Sequence, residues 1–332
     1  MADRVVIVGT RRGNSTIPIS ELKQMMGRAG RKHDGSVAKV DIVVEESNEE
    51  AFVDGMQDDS GMDVLSTLTG VDDLTFHVLG EIVTGNIKDK ATARQWFARS
   101  LRALQGGKFD PDEIFETLEE FEAVKTHGNR IMATPMGEVA VSFYFHPADV
   151  LMWKLNFDDL FDQGLENDEV APAWALGSIP CGRATGDLGS SRWIVNDCLN
   201  KIPAGLQVMD GALINTTLWW HCMGGPPVGK LKNVALSMRK DFSRIRALLT
   251  VLDMKVAQWG MRDYFDDLEL RVKKAVGPEL LDLCKLNGIS KGQAVYLYNV
   301  GVTNIQELRE QADNIDGEVD ERFMETIRRL VR

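Results

Sequence analysis

Two short apolar runs, Val5 to Val8 and Val40 to Val44, flank a helical stretch, and they constrain this chain more than any other feature. The runs read as strands, and Ser20 is placed to cap a helix running through Met26. The order strand, turn, helix, strand implies a βαβ-like unit with parallel strands. A parallel pair needs neighbours in its sheet and cover on both faces, and the first 60 residues supply neither. The expectation is an α/β segment that begins in mid-domain.

Seven of the fifteen residues from Glu45 to Asp59 are acidic, and the turn-rich Ser60-Gly61 follows, so a domain boundary is expected there. Helical periodicity then dominates: Leu74 to Val83, Ala91 to Leu104 and Pro111 to Val124, the last with Ile114, Leu118 and Phe121 on one stripe and acids opposite. Three helices, His127-Gly128-Asn129-Arg130 and an apolar extended segment together read as a winged helix. A less regular region from 146 ends in a long helical pattern from about Lys230 to Trp259, and a small helical domain follows from 263. The fold class expected is mostly α and multi-domain, with one partial α/β segment.

The net charge of −12 argues against a polyanion partner, but its distribution is uneven. Residues 1–35 carry seven basic and three acidic side chains, residues 230–246 six and one, and residues 271–293 five and two. Three basic islands in an acidic background can contact phosphates, although a solvated helix face explains each one equally well. No apolar run reaches the roughly 18–20 residues that span a bilayer, and no export signal opens the sequence, so a cytoplasmic or nucleoid-associated protein is expected. Cysteines 181, 198, 222 and 284 lack paired zinc spacing, and histidines 33, 77, 127, 146 and 221 show no triad or metal spacing. No metal site is expected.

Gln24-Met25-Met26-Gly27-Arg28-Ala29-Gly30-Arg31 is the most informative stretch. Two arginines three apart at a glycine-broken helix end can aim both guanidinium groups at one phosphate. On spacing alone, a helix end with surface arginines is the competing reading.

QMMGRAGR resembles motif VI of superfamily 2 helicases. Arg4-Val5-Val6-Ile7-Val8-Gly9-Thr10-Arg11-Arg12 and Ile19-Ser20-Glu21-Leu22-Lys23 resemble the preceding segment of Ski-like DNA helicases, with the archaeal fork-processing helicases nearest. Ala133-Thr134-Pro135-Met136-Gly137 is similar to their winged-helix exit. Leu268-Glu269-Leu270-Arg271-Val272 with Val276-Gly277 is similar to the entry to their final helix-hairpin-helix domain. The matches run in order from residue 4 to about 308.

This resemblance implies four parts: 1–58, a C-terminal fragment of the second RecA-like domain; 59–145, the winged helix; 146–262, a helical ratchet-like domain; 263–332, the helix-hairpin-helix domain. Arg28 and Arg31 would reach the nucleotide, with Arg31 as arginine finger, and Gln24, Gly27 and Gly30 would complete the motif around it. Thr10 to Ile19, tipped by Gly13-Asn14-Ser15, would be the strand-separating hairpin, with Arg11 and Arg12 on phosphate. Arg239, Phe242 and Arg246 share a helix face at i, i+3 and i+7 and would line the single strand, although Phe242 reads equally as a core anchor. Leu286 to Ala294 resembles a helix-hairpin-helix turn, with Gly288 and Lys291 on phosphate and Ser290 at the usual second glycine. The acidic helix Asp110 to Val124 should be repelled by a DNA groove.

Gly224-Gly225-Pro226-Pro227-Val228-Gly229-Lys230-Leu231 satisfies the spacing of a Walker ATP loop, but Leu231 cannot hold magnesium and two prolines delete amides. A turn leading into a basic helix explains it better. With no acidic DExH-like box either, the chain is not expected to hydrolyse ATP alone. ATP and Mg2+ would be engaged only with a partner chain supplying the remaining RecA-like domains. The polymer partner is expected to be single-stranded or forked DNA, with RNA as the alternative. The rival reading is a non-catalytic DNA-binding or helicase-regulating protein derived from a helicase.

Overall fold

The computed structural model describes residues 4–12, 15–30, 38–57, 65–179, 192–209, 211–312, 315 and 321–331. Gly13, Asn14, Arg31, His33, Ser60-Gly61 and Cys181 lie outside the described residues. The chain divides into two compact units, Met1–Thr67 and Leu68–Arg332.

In the first unit, β1 (Arg4–Val8) leads to the two-residue strands β2 (Arg11–Arg12) and β3 (Ser15–Thr16), then α1 (Ile19–Met26), β4 (Lys39–Val43) and α2 (Glu49–Gln57). β1 pairs in parallel with β4, Arg4 opposite Lys39 through Val8 opposite Val43, and β2 pairs antiparallel with β3. Pro18 precedes α1, and Leu22, fully buried, anchors it. The acidic run is helical from Glu49 through Gln57, and Gly55 of α2 sits against the Ile19 side chain. Among the described residues β1 and β4 form a sheet of two, with Val6, Val8 and Val43 exposed at 54%, 80% and 53%.

Among its described residues the second unit is helical apart from one hairpin. It runs α3 (Val71–Val83), α4 (Lys90–Ala98), α5 (Leu101–Leu104), α6 (Pro111–Glu120), β5 (Val124–His127), β6 (Arg130–Ala133), α7 (Pro135–Phe143), α8 (Pro147–Asp162) and α9 (Ala171–Gly177). Then come α10 (Arg192–Lys201), α11 (Leu213–Cys222), α12 (Lys232–Leu252), α13 (Arg262–Lys274), α14 (Leu281–Lys285), α15 (Lys291–Asn299), α16 (Ile305–Gln311) and α17 (Glu321–Val331). Several starts share one device, a polar cap followed by proline: Asp110-Pro111, Thr134-Pro135 and His146-Pro147 each accept an amide of the first turn, and proline has no amide to leave unpaired.

One apolar core runs from Leu74 to Val272, without a break near residue 145. α13, placed by sequence at the head of the last domain, buries Phe265, Leu268 and Val272 in this core, and a second core begins only at Val276 and ends at Ile327. All seven residues of α9 are buried, so its last carbonyls need internal donors. α8 supplies them: Trp153 Nε1 donates to Leu176 O at 3.2 Å, and Asn156 Nδ2 to Ala175 O at 3.1 Å and Ser178 O at 2.9 Å. A Cβ on Gly177 would lie 2.5 Å from the Thr216 amide, so glycine there lets α9 and α11 touch backbone to backbone.

α12, about 32 Å long at 1.5 Å per residue, is the central strut. Its inward face carries Ala235, Phe242, Ile245, Leu248, Leu249 and Leu252, and Phe242, 1% exposed, meets the Trp219 ring edge-on at 5.5 Å. The stacking role expected for Phe242 is thereby replaced by a core role, because its ring has no face open to a base. Arg239 and Arg246 flank it along the seam with α13. Arg239 Nε donates to Val272 O at 3.0 Å and Nη2 to Lys273 O at 2.6 Å, satisfying the end of a helix that closes on left-handed Ala275. Arg246 Nε sits 3.2 Å from Asp266 and 3.3 Å from Glu269. After α12 a π turn, Asp253–Ala257, is closed by buried Asp253, whose carboxylate accepts the amides of Gly260 and Met261.

Truncating Phe242 to Ala should lower unfolding free energy by about 3–5 kcal/mol in a denaturant titration, the usual cost of emptying an aromatic core site; a change below about 1 kcal/mol would contradict the assigned burial. Glu269 gives the seam a pH dependence. Burial pushes its carboxyl up, but the Ser243 hydroxyl, Lys273 and Arg246 outweigh this and hold it below its ordinary 4.5. An acid stronger in the folded than the unfolded state contributes stability above its unfolded pKa and loses it as pH falls through the folded value. Melting curves from about pH 7 to about pH 3 should therefore show a shallower acid-side fall in Tm for Glu269→Gln than for the unmodified chain.

Candidate nucleic-acid interface

The motif Gln24 to Arg31 begins on the last turn of α1. Gln24 is exposed, Gly27 closes the helix with its amide on Lys23 O at 3.0 Å, and exposed Arg28 continues the turn with its amide on Met25 O at 3.1 Å. Gly30 takes a left-handed φ of +68°, and a Cβ there would lie 2.6 Å from the Ala38 Cβ. Two features thus require glycine at the end of the motif, a positive φ and a close approach. Arg28 is left on the surface, while Arg31 lies outside the described residues. On the small hairpin, Arg11 is exposed opposite Thr16, and the Arg12 backbone pairs with Ser15.

Along α12, the side turned to solvent differs from the one expected. With Arg239, Phe242 and Arg246 committed to the core and to α13, the outward face is Asn233, Ser237, Lys240 and Arg244, spaced for one helical stripe. Lys240 makes no ion pair among the described residues, and the Arg244 guanidinium lies 4.3 Å from the centre of the Phe145 ring. Ala235, Phe242, Ile245, Leu249 and Leu252 mark the buried side at helical spacing. Weighting that run above the lone aromatic would have rotated the reading to Lys240 and Arg244.

The loop with Walker-like spacing is a packing turn. A Cβ on Gly224 would lie 2.6 Å from the Gly277 amide, one on Gly225 would meet the Trp220 ring at 2.9 Å, and His221 Nδ1 lies 2.7 Å from Pro226 O. The space where a phosphate would sit against Gly224 is filled by protein backbone.

At the Leu286 to Ala294 turn, Gly288 has φ +92°, and Ser290 caps α15 on the Gln293 amide at 3.3 Å. Lys291 Nζ turns back to Ala275 O at 2.5 Å, and Lys274 Nζ donates to Ile289 O at 3.3 Å. Arg329 Nη2 donates to Asn287 O at 3.3 Å, and Lys285 pairs with Asp267 at 2.7 Å. A cleft of about 500 Å³ opens beside Gly288 between Lys274 and Lys285. Lys274 and Lys285 of the 271–293 basic island, joined by Arg329 from α17, thus gather around Gly288.

Burial pushes the Cys198 thiol up to about 11 and the Cys222 thiol up to about 12, so neither ionises near neutrality. Among the described residues no cluster of histidine, cysteine and acidic side chains is arranged to hold a metal ion, and no helix is long and apolar enough to cross a membrane.

No family model matches the sequence. The chain is similar to the ATP-dependent DNA helicase Hel308 of Thermococcus kodakarensis, with 24% identity over 92% of this chain and 30% of that protein. It is similar to the Hel308 of Methanocella arvoryzae at 22% identity, over 93% of this chain and 45% of the relative. A third relative, the Hel308 of Thermoplasma volcanium, is 23% identical over 87% of this chain and 43% of its own length. Along about nine-tenths of its length, then, this chain is similar to a stretch that makes up less than half of each of these DNA helicases.

Proposed function

We propose that this chain is the C-terminal, DNA-engaging part of an ATP-dependent superfamily 2 helicase. The observation that carries the reading is its likeness to three Hel308 DNA helicases over 87–93% of its length. The exposed valines of the β1–β4 pair support it, because parallel sheets are normally covered on both faces, and among the described residues this one leaves the face of Val6, Val8 and Val43 bare and has no neighbouring strand. In this reading a partner carrying the Walker loop and the acidic box holds ATP and Mg2+. Arg28 and Arg31 approach that nucleotide from the end of α1, where planar, permanently charged guanidinium groups spread the charge of the transferring phosphoryl group. Gln24, Gly27 and Gly30 shape the turn that presents them.

α3, α4, α6 and the β5–β6 hairpin act as a winged helix whose acidic α6 packs rather than reads a groove. Single-stranded DNA runs past Lys240 and Arg244 on α12, cations on its phosphates and the Arg244 plane available to a base. Gly288, with Lys274, Lys285 and Lys291 around its turn, takes a further phosphate, while Arg239 and Arg246 serve the frame. Arg11 and Arg12 contact phosphate at the hairpin.

Mixed with a partner bearing the Walker motifs, the chain should restore DNA-stimulated ATP hydrolysis, and Arg31→Ala should lower kcat by about 10³-fold with little change in DNA affinity, measured by phosphate release and fluorescence anisotropy. ATP hydrolysis by the chain alone, or full activity of Arg28→Ala and Arg31→Ala together, overturns this role and leaves a DNA-binding protein without catalysis. Replacing Lys240 and Arg244 with Gln should weaken single-strand binding about tenfold and reduce its salt dependence by roughly one to two contacts, whereas Arg239→Gln should lower Tm without altering the salt slope.

A further inference from the structure

The β5–β6 turn and the start of α4 enclose a cleft of about 360 Å³ that none of the proposed roles uses. Its construction is rigid. The Ile131 amide bonds to Lys88 O at 2.9 Å, pinning β6 to the turn before α4. Asp89 caps α4 through the Thr92 amide at 2.8 Å and the Thr92 hydroxyl at 2.9 Å, which hold its carboxyl below the usual range. Phe115 and Ile131, both buried, form the floor.

Around the rim stand Lys90, Arg94 and Arg130, with the Asn129 amide at the hairpin tip. Their commitments differ. Lys90 is neutralised by an ion pair with Asp112 at the head of α6. Arg130 faces Asp89, whose Oδ1 accepts both Thr92 bonds and whose charge acts on Arg130 through space, but it forms no ion pair among the described residues. Arg94, exposed on α4, has none there either. In a chain of net charge −12, whose neighbouring α6 turns Glu113, Glu116 and Glu120 outward, two uncommitted guanidinium groups across one rigid cleft are not explained by the fold. They form a two-armed anion grip of the kind that suits phosphate, since each fork donates two parallel hydrogen bonds.

A polymer suits the cleft better than a small anion, because basic side chains continue beyond it along β5. Thr126 borders this cleft and a second one of about 610 Å³ on the other side of the hairpin, whose lining sets Lys125, His127 and Lys255 beside Glu119 and Glu122; His127 lies directly across the strands from Arg130. We propose that the cleft between the β5–β6 turn and α4 is a phosphate site in which Arg94 and Arg130 grip the backbone of a nucleic acid. It rests on the reading of the chain as a nucleic-acid binder, but on residues separate from α12 and from the Gly288 turn. The contact lies along the hairpin and α4, so the acidic α6 never has to enter a groove.

The test is fluorescence anisotropy of the full chain with labelled single-stranded and duplex oligonucleotides across a salt series. Arg94→Gln with Arg130→Gln should raise Kd about tenfold and lower the salt slope by about two, with Tm unchanged because both side chains are exposed. Lysines at both positions should restore the salt slope but only part of the affinity, because an ammonium group cannot donate two parallel hydrogen bonds, and pyrophosphate or a deoxynucleoside monophosphate should not displace the oligonucleotide at millimolar concentration. If the double variant binds like the unmodified chain while the Lys240 and Arg244 variant does not, the cleft proposal fails and the α12 reading stands. Displacement by pyrophosphate would make the cleft a small-anion site and overturn it too. If the unmodified chain binds neither oligonucleotide, both readings fail together.

Discussion

The burial of one side of α12 is the constraint on which the larger unit depends. A helix of this length in a bundle core has one degree of freedom that matters, its rotation about its own axis, and Phe242 against Trp219 sets it. Once that ring is inside, Ile245, Leu249 and Leu252 follow it, Arg239 and Arg246 fall on the α13 seam, and Lys240 and Arg244 are left for solvent. A rotation of about 100°, one residue's worth, would place a charged side chain in the core. The surface charge pattern of α12 is thus a by-product of its packing.

The seam illustrates why residue type and spacing were a partial guide. An arginine on a basic helix reads as a ligand for phosphate, and nothing local distinguishes it from one that caps another helix. Arg239 finds Val272 and Lys273 carbonyls 33 and 34 residues away, a relation only the fold creates. The same holds for Lys291, whose Nζ donates to Ala275 O. By contrast, signals confined to a few residues were legible. The helix opening at Asp110-Pro111, the apolar strands at Val5 and Val40, and the Gly128-Asn129 turn all formed the elements expected of them. The continuity of the core across residue 145 was not legible, because that core is assembled from Leu74 to Val272 and no local feature announces it.

The glycines carry the clearest contrast between sequence likeness and physical role. Gly30 ends the helicase-like motif in a left-handed turn against Ala38, and Gly224 opens a loop whose spacing imitates a phosphate cradle. Both allow a close approach, but what approaches differs: Gly224 is met by the backbone at Gly277, where the two cores of the larger unit adjoin. Within α13, Arg271 is 3% exposed, with Nε and Nη2 unpaired to protein, and burial lowers its pKa while Tyr264, Glu279 and nearby acids oppose the shift. A buried cation with no protein partner at Nε and Nη2 is costly to leave dry, and ordered water is the usual remedy.

α9 places a requirement on the order in which this chain can fold. Seven residues are too few to hold a helix in water, and every one of them is buried. Its terminal carbonyls wait for Trp153 and Asn156, and its last glycine closes only against Thr216. The segment therefore has no stable local intermediate; it condenses when α8 and α11 are both in place. Its amides belong to the slow, collective class of hydrogen exchange, opening with the whole core rather than by fraying.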